Sequence, residues 1–322
     1  MNKIILLLLI SLFLSCFGYS QKAKDYSVYA TESDDILDIC FSKYGEIIGV
    51  TDNNVIKVFK TNTQELIAKF QNGHTSQIQT IDISQDSLLL ISGGKDSSIV
   101  IWDFINQVKL KTLTFQGSIV TSIKISPDNR FFVSGGMNKI CIYDIKNDKL
   151  IREINNNGIT TCVSFSPNGK IVATSNSDKS INIFEVETGK LLTKLQEHTS
   201  WVRSLTFSND GTKLISCGDD SKIIRWNISD INDIKLINKS RYGYNWLLSI
   251  SLNQKNKSYT YGDFNGNAVI ITSFGKYNAN VKSPINKVLF KPNEEDCLKI
   301  AVATREKGVL FIDAKNMTLK GN

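Results

Sequence analysis

Apolar positions in this chain recur in short bursts, not on the three-to-four spacing of a helix. Segments such as Thr80-Ile-Asp-Ile-Ser84 and Ile99-Val-Ile-Trp102 are rich in Ile, Val and Phe and are bounded by Gly, Asn, Asp and Ser. That is the pattern of strands and tight turns. No window of helical length keeps one apolar face. An apolar-Ser-(Pro)-Asp/Asn-Gly turn recurs at Phe41-Ser-Lys-Tyr-Gly45, Ile83-Ser-Gln-Asp86, Ile125-Ser-Pro-Asp128, Phe165-Ser-Pro-Asn-Gly169, Phe207-Ser-Asn-Asp-Gly211 and Phe290-Lys-Pro-Asn293. Aromatic or aliphatic residues recur 41 to 45 positions apart, all but Ile271 some 18 to 22 residues after one of these turns: Phe59, Trp102, Tyr143, Phe184, Trp226, Ile271 and Ile312. Seven units of about 42 residues, each with room for four strands, predict an all-β, seven-bladed β-propeller of four-stranded antiparallel blades. In the second unit the strands are expected near 78–83, 88–92, 99–103 and 109–113.

Two units carry a sharper constellation. Gly73-His74 is followed by Ser92, Asp96 and Trp102, and Glu197-His198 by Ser216, Asp220 and Trp226, at identical spacing. These residues resemble the WD40 family, and the resemblance covers about 27–313. It implies that His74, Ser92, Asp96, Trp102, His198, Ser216, Asp220 and Trp226 form structural tetrads. Asp would accept from His, with His linked through Ser to the indole N–H. A Ser-His-Asp hydrolase is the competing reading, but a catalytic site is built once and neither Ser sits in a G-x-S-x-G elbow. No catalytic residue is assigned and the chain is read as not an enzyme. The third and fourth units keep only parts of the pattern (Ser134, Asn138, Tyr143; Thr174, Asp178, Phe184). Similarity to WD40 proteins further implies that residues 25–31 supply the strand that completes the last blade beside 283–313.

The same resemblance places partner-binding positions on one rim of the channel. Carried across, they are Trp201, Arg203 and Asp219, then Trp246, Leu248 and Phe264, with Arg241, Tyr242 and Tyr244 in the loop before Trp246. Tryptophan, tyrosine and arginine together are the composition of an interface hot spot, and the two rim tryptophans are expected to be exposed. Equivalent positions elsewhere (Gln77 and Gln79, Ile119 and Thr121, Ile159 and Thr161) are plainer.

Composition narrows the rest. The 322 residues carry a formal net charge of +7, but the basic residues are scattered singly, so no nucleic-acid partner is expected. Two histidines, both inside the tetrads, leave no zinc site, and no metal or other cofactor is expected. Residues 1–20 combine Lys3, an apolar run from Ile4 to Leu14, and Gly18-Tyr19-Ser20, which reads as a signal peptide cleaved before Gln21. A rival reading makes Leu14-Ser15-Cys16 a lipobox with Cys16 lipidated. The apolar run is too short to span a membrane. Residues 21–322 then form a single exported domain, periplasmic, cell-surface or secreted, and a monomeric propeller. Its expected work is non-catalytic protein-protein scaffolding; the alternative is an enzyme or small-ligand binder using the central channel. The five remaining cysteines, Cys40, Cys141, Cys162, Cys217 and Cys297, have irregular spacing and read as buried thiols, not disulfides.

Overall fold

Each recurring Ser turn is a hydrogen-bonded hairpin, and it explains why the motif repeats. In the computed structural model, Ser84 Oγ accepts the Leu89 N–H at 2.9 Å and donates to Asp86 at 2.6 Å. Ser126, Ser166 and Ser208 do the same with Phe131 and Asp128, Ile171 and Asn168, and Lys213 and Asp210. Gly169 and Gly211 close two of these turns at φ 70° and 68°, which glycine adopts without a Cβ penalty.

The structure describes residues 27–28, 31, 35–115, 119–253, 258–273, 275–292 and 299–320. A short β1 (Ser27–Val28) is followed by β2 (Ile39–Phe41), β3 (Ile47–Asp52), β4 (Val55–Lys60) and β5 (Leu66–Phe70). The second unit forms β6 (Ile78–Ile83), β7 (Leu89–Gly94), β8 (Ser98–Asp103) and β9 (Val108–Thr114). Then come β10 (Val120–Ile125), β11 (Phe131–Asp144), β12 (Lys149–Phe165), β13 (Ile171–Asn176), β14 (Ile181–Glu185) and β15 (Leu191–Leu195). The chain continues through β16 (Val202–Phe207), β17 (Lys213–Gly218), β18 (Lys222–Asn227), β19 (Lys235–Arg241), β20 (Leu247–Leu252), β21 (Tyr259–Asp263), β22 (Asn267–Ile271) and β23 (Lys276–Asn280). It ends with β24 (Ile285–Phe290), β25 (Lys299–Thr304), β26 (Val309–Asp313), a 3-10 turn at Ala314–Asn316 and β27 (Thr318–Lys320).

The fold is an all-β propeller, but the expectation of seven separate four-stranded blades is corrected. Among the described residues the strands form six hydrogen-bonded sheets. The third and fourth units merge in one six-stranded sheet, β10-β11-β12-β13-β14-β15, because β12 pairs with β11 along its first part and with β13 along its second. The merger is made at the join. Asn138, at the Asp place of the third unit, and Asn156, at the His place of the fourth, lie on the two segments that meet there. Met137 pairs with Ile159, and Gly158 N–H donates to Asn138 at 3.3 Å.

The last sheet, β1-β26-β25-β24, takes its outer strand from the N-terminal side, with Ser27 opposite Phe311. After Asp313, β27 adds to the edge of β23, making that sheet five-stranded.

Inner strands are buried on both faces and read as near-continuous apolar runs, whereas outer strands such as β9 and β19 are mostly exposed. Apolar clusters fill the gaps between neighbouring sheets. One joins Cys40, Ile56, Val58 and Phe70 to Ile81, Leu90, Val100 and Trp102, with the Phe70 and Trp102 rings edge-on at 5.5 Å. Cys40, Cys141, Cys162 and Cys217 are free and buried, and burial pushes the Cys141 thiol up to about 12. Residues 1–26, with Cys16, and Cys297 lie outside the described residues.

A relay of side chains laces the innermost strands around the channel. Asp38 accepts the Ile81 N–H at 3.1 Å and the Thr80 hydroxyl at 2.9 Å, and Thr80 accepts the Ile123 N–H at 3.0 Å. Ser122 accepts from Val163 at 3.0 Å, Ser204 from Ile250 at 3.3 Å, and Ser249 from Val288 at 3.1 Å. Cys162 makes a weaker link, its Sγ 3.9 Å from the Leu205 carbonyl. Lys287 closes the circuit on Asp38 at 3.3 Å, beside Asn286, which donates to the Ile36 carbonyl at 2.9 Å. Asp82 and Lys124, at 2.6 Å, add a second ion pair in the same wall.

Candidate functional site

Two sets of residues stood out in the sequence, and the structure gives them different characters. In the second unit, His74 Nδ1 lies 3.1 Å from Asp96, His74 Nε2 2.8 Å from Ser92 Oγ, and the Trp102 indole donates to Ser92 at 2.9 Å. The carboxylate requires the proton on Nδ1, so the chain of donation runs from indole to Ser, to His, to Asp. Burial is the largest influence on His74 and lowers its pKa, against the raising effect of Asp96. Burial works against the Asp96 charge, yet hydrogen bonds from Ser98, His74 and the Thr75 N–H hold its pKa down to about 2. Every polar group of this buried network has a partner, which is a structural arrangement.

The fifth unit repeats it incompletely. His198 lies 3.0 Å from Asp220 and 2.9 Å from Ser216, but the buried Trp226 indole N–H has no partner among the described residues. The difference traces to the residue before the histidine. A Cβ at Gly73 would stand 2.2 Å from the Trp102 ring, and Glu197, which has one, occupies that position here. In the fourth unit Asn156 takes the histidine place and donates to Thr160 at 3.0 Å and to Asn176 at 2.9 Å. The 18-residue spacing counted back from Thr174 identifies Asn156, a signal the sequence reading did not use.

The rim residues form an open aromatic–arginine surface. Trp201, Trp246 and Phe264 are 36%, 48% and 37% exposed, and Tyr244 is 86% exposed. Two turns hold them in one register: Asp219 N–H donates to the Trp201 carbonyl at 2.9 Å, and Phe264 N–H to that of Trp246 at 3.0 Å. Arg203 stacks on Trp201 at 4.7 Å while gripping Asp219 through two bonds of 2.7 Å. Trp246 packs on Phe264 at 5.2 Å, and Arg241 stacks on Tyr244 at 4.7 Å.

Leu248 is half-buried at the channel mouth beside Arg203, Ser204 and Lys287. Tyr242 departs from the group. It turns inward, its hydroxyl 2.6 Å from that of Tyr259 and its ring 5.4 Å from Tyr261. Arg305 was not foreseen. It sits in the next sheet at the register of Asp219 and Phe264, its N–H donating to the Pro284 carbonyl at 3.0 Å and its guanidinium 5.4 Å from Phe264.

The opposite mouth of the channel is a cavity of about 600 Å³ whose apolar lining includes Phe41, Phe165, Phe207, Leu252 and Phe290. Among the described residues no group of three or more His, Cys, Asp or Glu is placed to hold a metal ion. Nor is any helix there long and apolar enough to cross a membrane.

Sheets laced around a channel and a rim of exposed aromatics define a β-propeller, a fold consistent with a protein-interaction scaffold. The chain matches the family model described as IFT122 first beta-propeller over residues 35–313, and it belongs to that family. This corrects the WD40 assignment. That assignment rested on two units with tetrads, whereas the match runs through the units that lack them. The chain is also 27% identical over 198 residues to the nuclear distribution protein nudF of Aspergillus niger, covering 54% of this chain and 44% of that protein. It is 31% identical over 150 residues to the guanine nucleotide-binding protein subunit beta-1 of Caenorhabditis briggsae, covering 45% of this chain and 44% of that one. The matches thus span less than half the length of either relative.

Proposed function

We propose that this chain is a non-catalytic protein-interaction platform that works through the rim formed by Trp201, Arg203, Tyr244, Trp246 and Phe264. The observation that carries the reading is the exposure of two tryptophans, a phenylalanine and a tyrosine on adjacent turns. An apolar surface left open in this way loses free energy that a partner recovers by covering it. The arrangement is held by backbone hydrogen bonds, so binding costs little reordering. The N-terminal apolar run adds that the platform is exported, either cleaved before Gln21 or anchored through a lipid on Cys16.

The test is capture of partners by the wild-type chain and by a Trp201→Ala/Trp246→Ala double variant with an unchanged melting transition. Loss of the captured partner supports the reading, and an identical set of partners refutes it. The mass of the mature N-terminus decides the export arm. A chain beginning at Gln21 or at lipid-modified Cys16 supports export, and an intact Met1 refutes it.

A further inference from the structure

We propose that this rim selects an acidic peptide segment, one with carboxylates flanking an apolar side chain; the inference rests on the platform reading. Three guanidinium groups stand over the aromatic faces: Arg203 on Trp201, Arg241 on Tyr244 and Arg305 on Phe264. Ring faces are where a cationic ligand would be attracted, and here the protein's own cations occupy them. A basic or methylated-lysine ligand therefore meets like charge.

Among the described residues Arg203 is the one of these three that a carboxylate neutralises, by its two bonds to Asp219. Among the described residues Arg241 and Arg305 have no carboxylate partner, so their stacked planes keep donors turned toward solvent. The carboxylate nearest in sequence, Glu306, follows Arg305 in the same turn and is itself followed by Lys307. A stacked guanidinium is pre-oriented and weakly hydrated, so it binds a carboxylate through two parallel bonds at small entropic cost. Trp246 and Phe264, between Arg305 and the neighbouring turn, supply the apolar seat for the central side chain. The net charge of +7 favours approach of an anionic segment.

The experiment measures fluorescence anisotropy of three short labelled peptides with the full chain. One carries Asp and Glu around a Trp, one Lys and Arg around a Trp, and one Asp and Glu around Gly. The first is expected to bind most tightly and to weaken as salt rises. An Arg241→Gln/Arg305→Gln variant is expected to bind it about tenfold more weakly. Equal or tighter binding of the basic peptide overturns the proposal, as does an acidic peptide indifferent to the arginine variant. Equal binding of the peptide without Trp, or no binding of any, also overturns it. Should the tryptophan double variant lose its captured partner while the arginine variant binds the acidic peptide normally, the platform stands and only the acidic specificity falls.

Discussion

Gly73→Ala is expected to destabilise this protein although it adds a single methyl to a half-exposed turn. The backbone at Gly73 is not left-handed, so the effect is one of space. The new Cβ would lie 2.2 Å from Trp102 Cη2 and 2.5 Å from Cζ2, more than 1 Å inside ordinary contact. The ring must move, and its N–H then leaves Ser92, which it holds at 2.9 Å. Overpacking costs about 1–3 kcal/mol and an orphaned buried donor about 1–3 kcal/mol. Because one movement relieves part of both, the expected loss is roughly 2–4 kcal/mol. Urea unfolding followed by tryptophan fluorescence should show the midpoint falling with the slope unchanged. Glu197→Ala is the control. That position already carries a Cβ, and its ion pair to Lys239 is exposed, so the change should stay within about 0.5 kcal/mol. A Gly73→Ala protein as stable as wild type would refute the argument. So would a stabilised one, the sign that lost chain entropy alone would give.

Acid should act through Asp96. Its pKa is about 2 in the folded protein against 3.8 as the ordinary value, so its stabilisation is full above pH 4 and is lost as pH falls toward 2. Asp96→Asn should therefore be less stable at neutral pH and less sensitive to acid across that window, as thermal melts at stepped pH would reveal. Cys162→Ser should replace the weak thiol donor to the Leu205 carbonyl with a stronger hydroxyl donor. A gain of about 0.5–1.5 kcal/mol is expected in urea unfolding, and a loss would contradict the relay. Lys287→Met should cost about 1–3 kcal/mol by leaving the Asp38 carboxylate without its cation. Lys287→Arg should retain most of the stability in the same melt.

The strands and turns were legible because each unit states its own alternation and its own Ser turn, and the second unit's strands fall within two residues of their expected places. The number of separate sheets was not. The Asn-rich stretch Asn155-Asn156-Asn157-Gly158 reads as a turn in isolation, yet Met137 opposite Ile159 draws it into β12. That pairing is set by the strand across from it, not by local preference. The rim shows the same limit. Trp201 and Trp246 were found through their shared register, but Tyr242 faces Tyr259 in the next sheet, a partner that local sequence does not name. Arg305 belongs to a unit whose landmarks are too worn to number from. The incomplete fifth tetrad turns on a missing volume before the histidine, which a motif of conserved letters does not express.

The relay also carries an order of events. Its direct links join residues 39 to 46 positions apart, each spanning one unit. The final one brings Asn286 to Asp35, 251 positions away. Loop-closure entropy makes the short links inexpensive and the long one slow. The ring is therefore expected to zip from unit to unit and to shut last at the seam between Lys287 and Asp38, an order that pulsed hydrogen exchange during refolding would read as late protection there. Opening at that seam would return the charges of Lys287 and Asp38 to water.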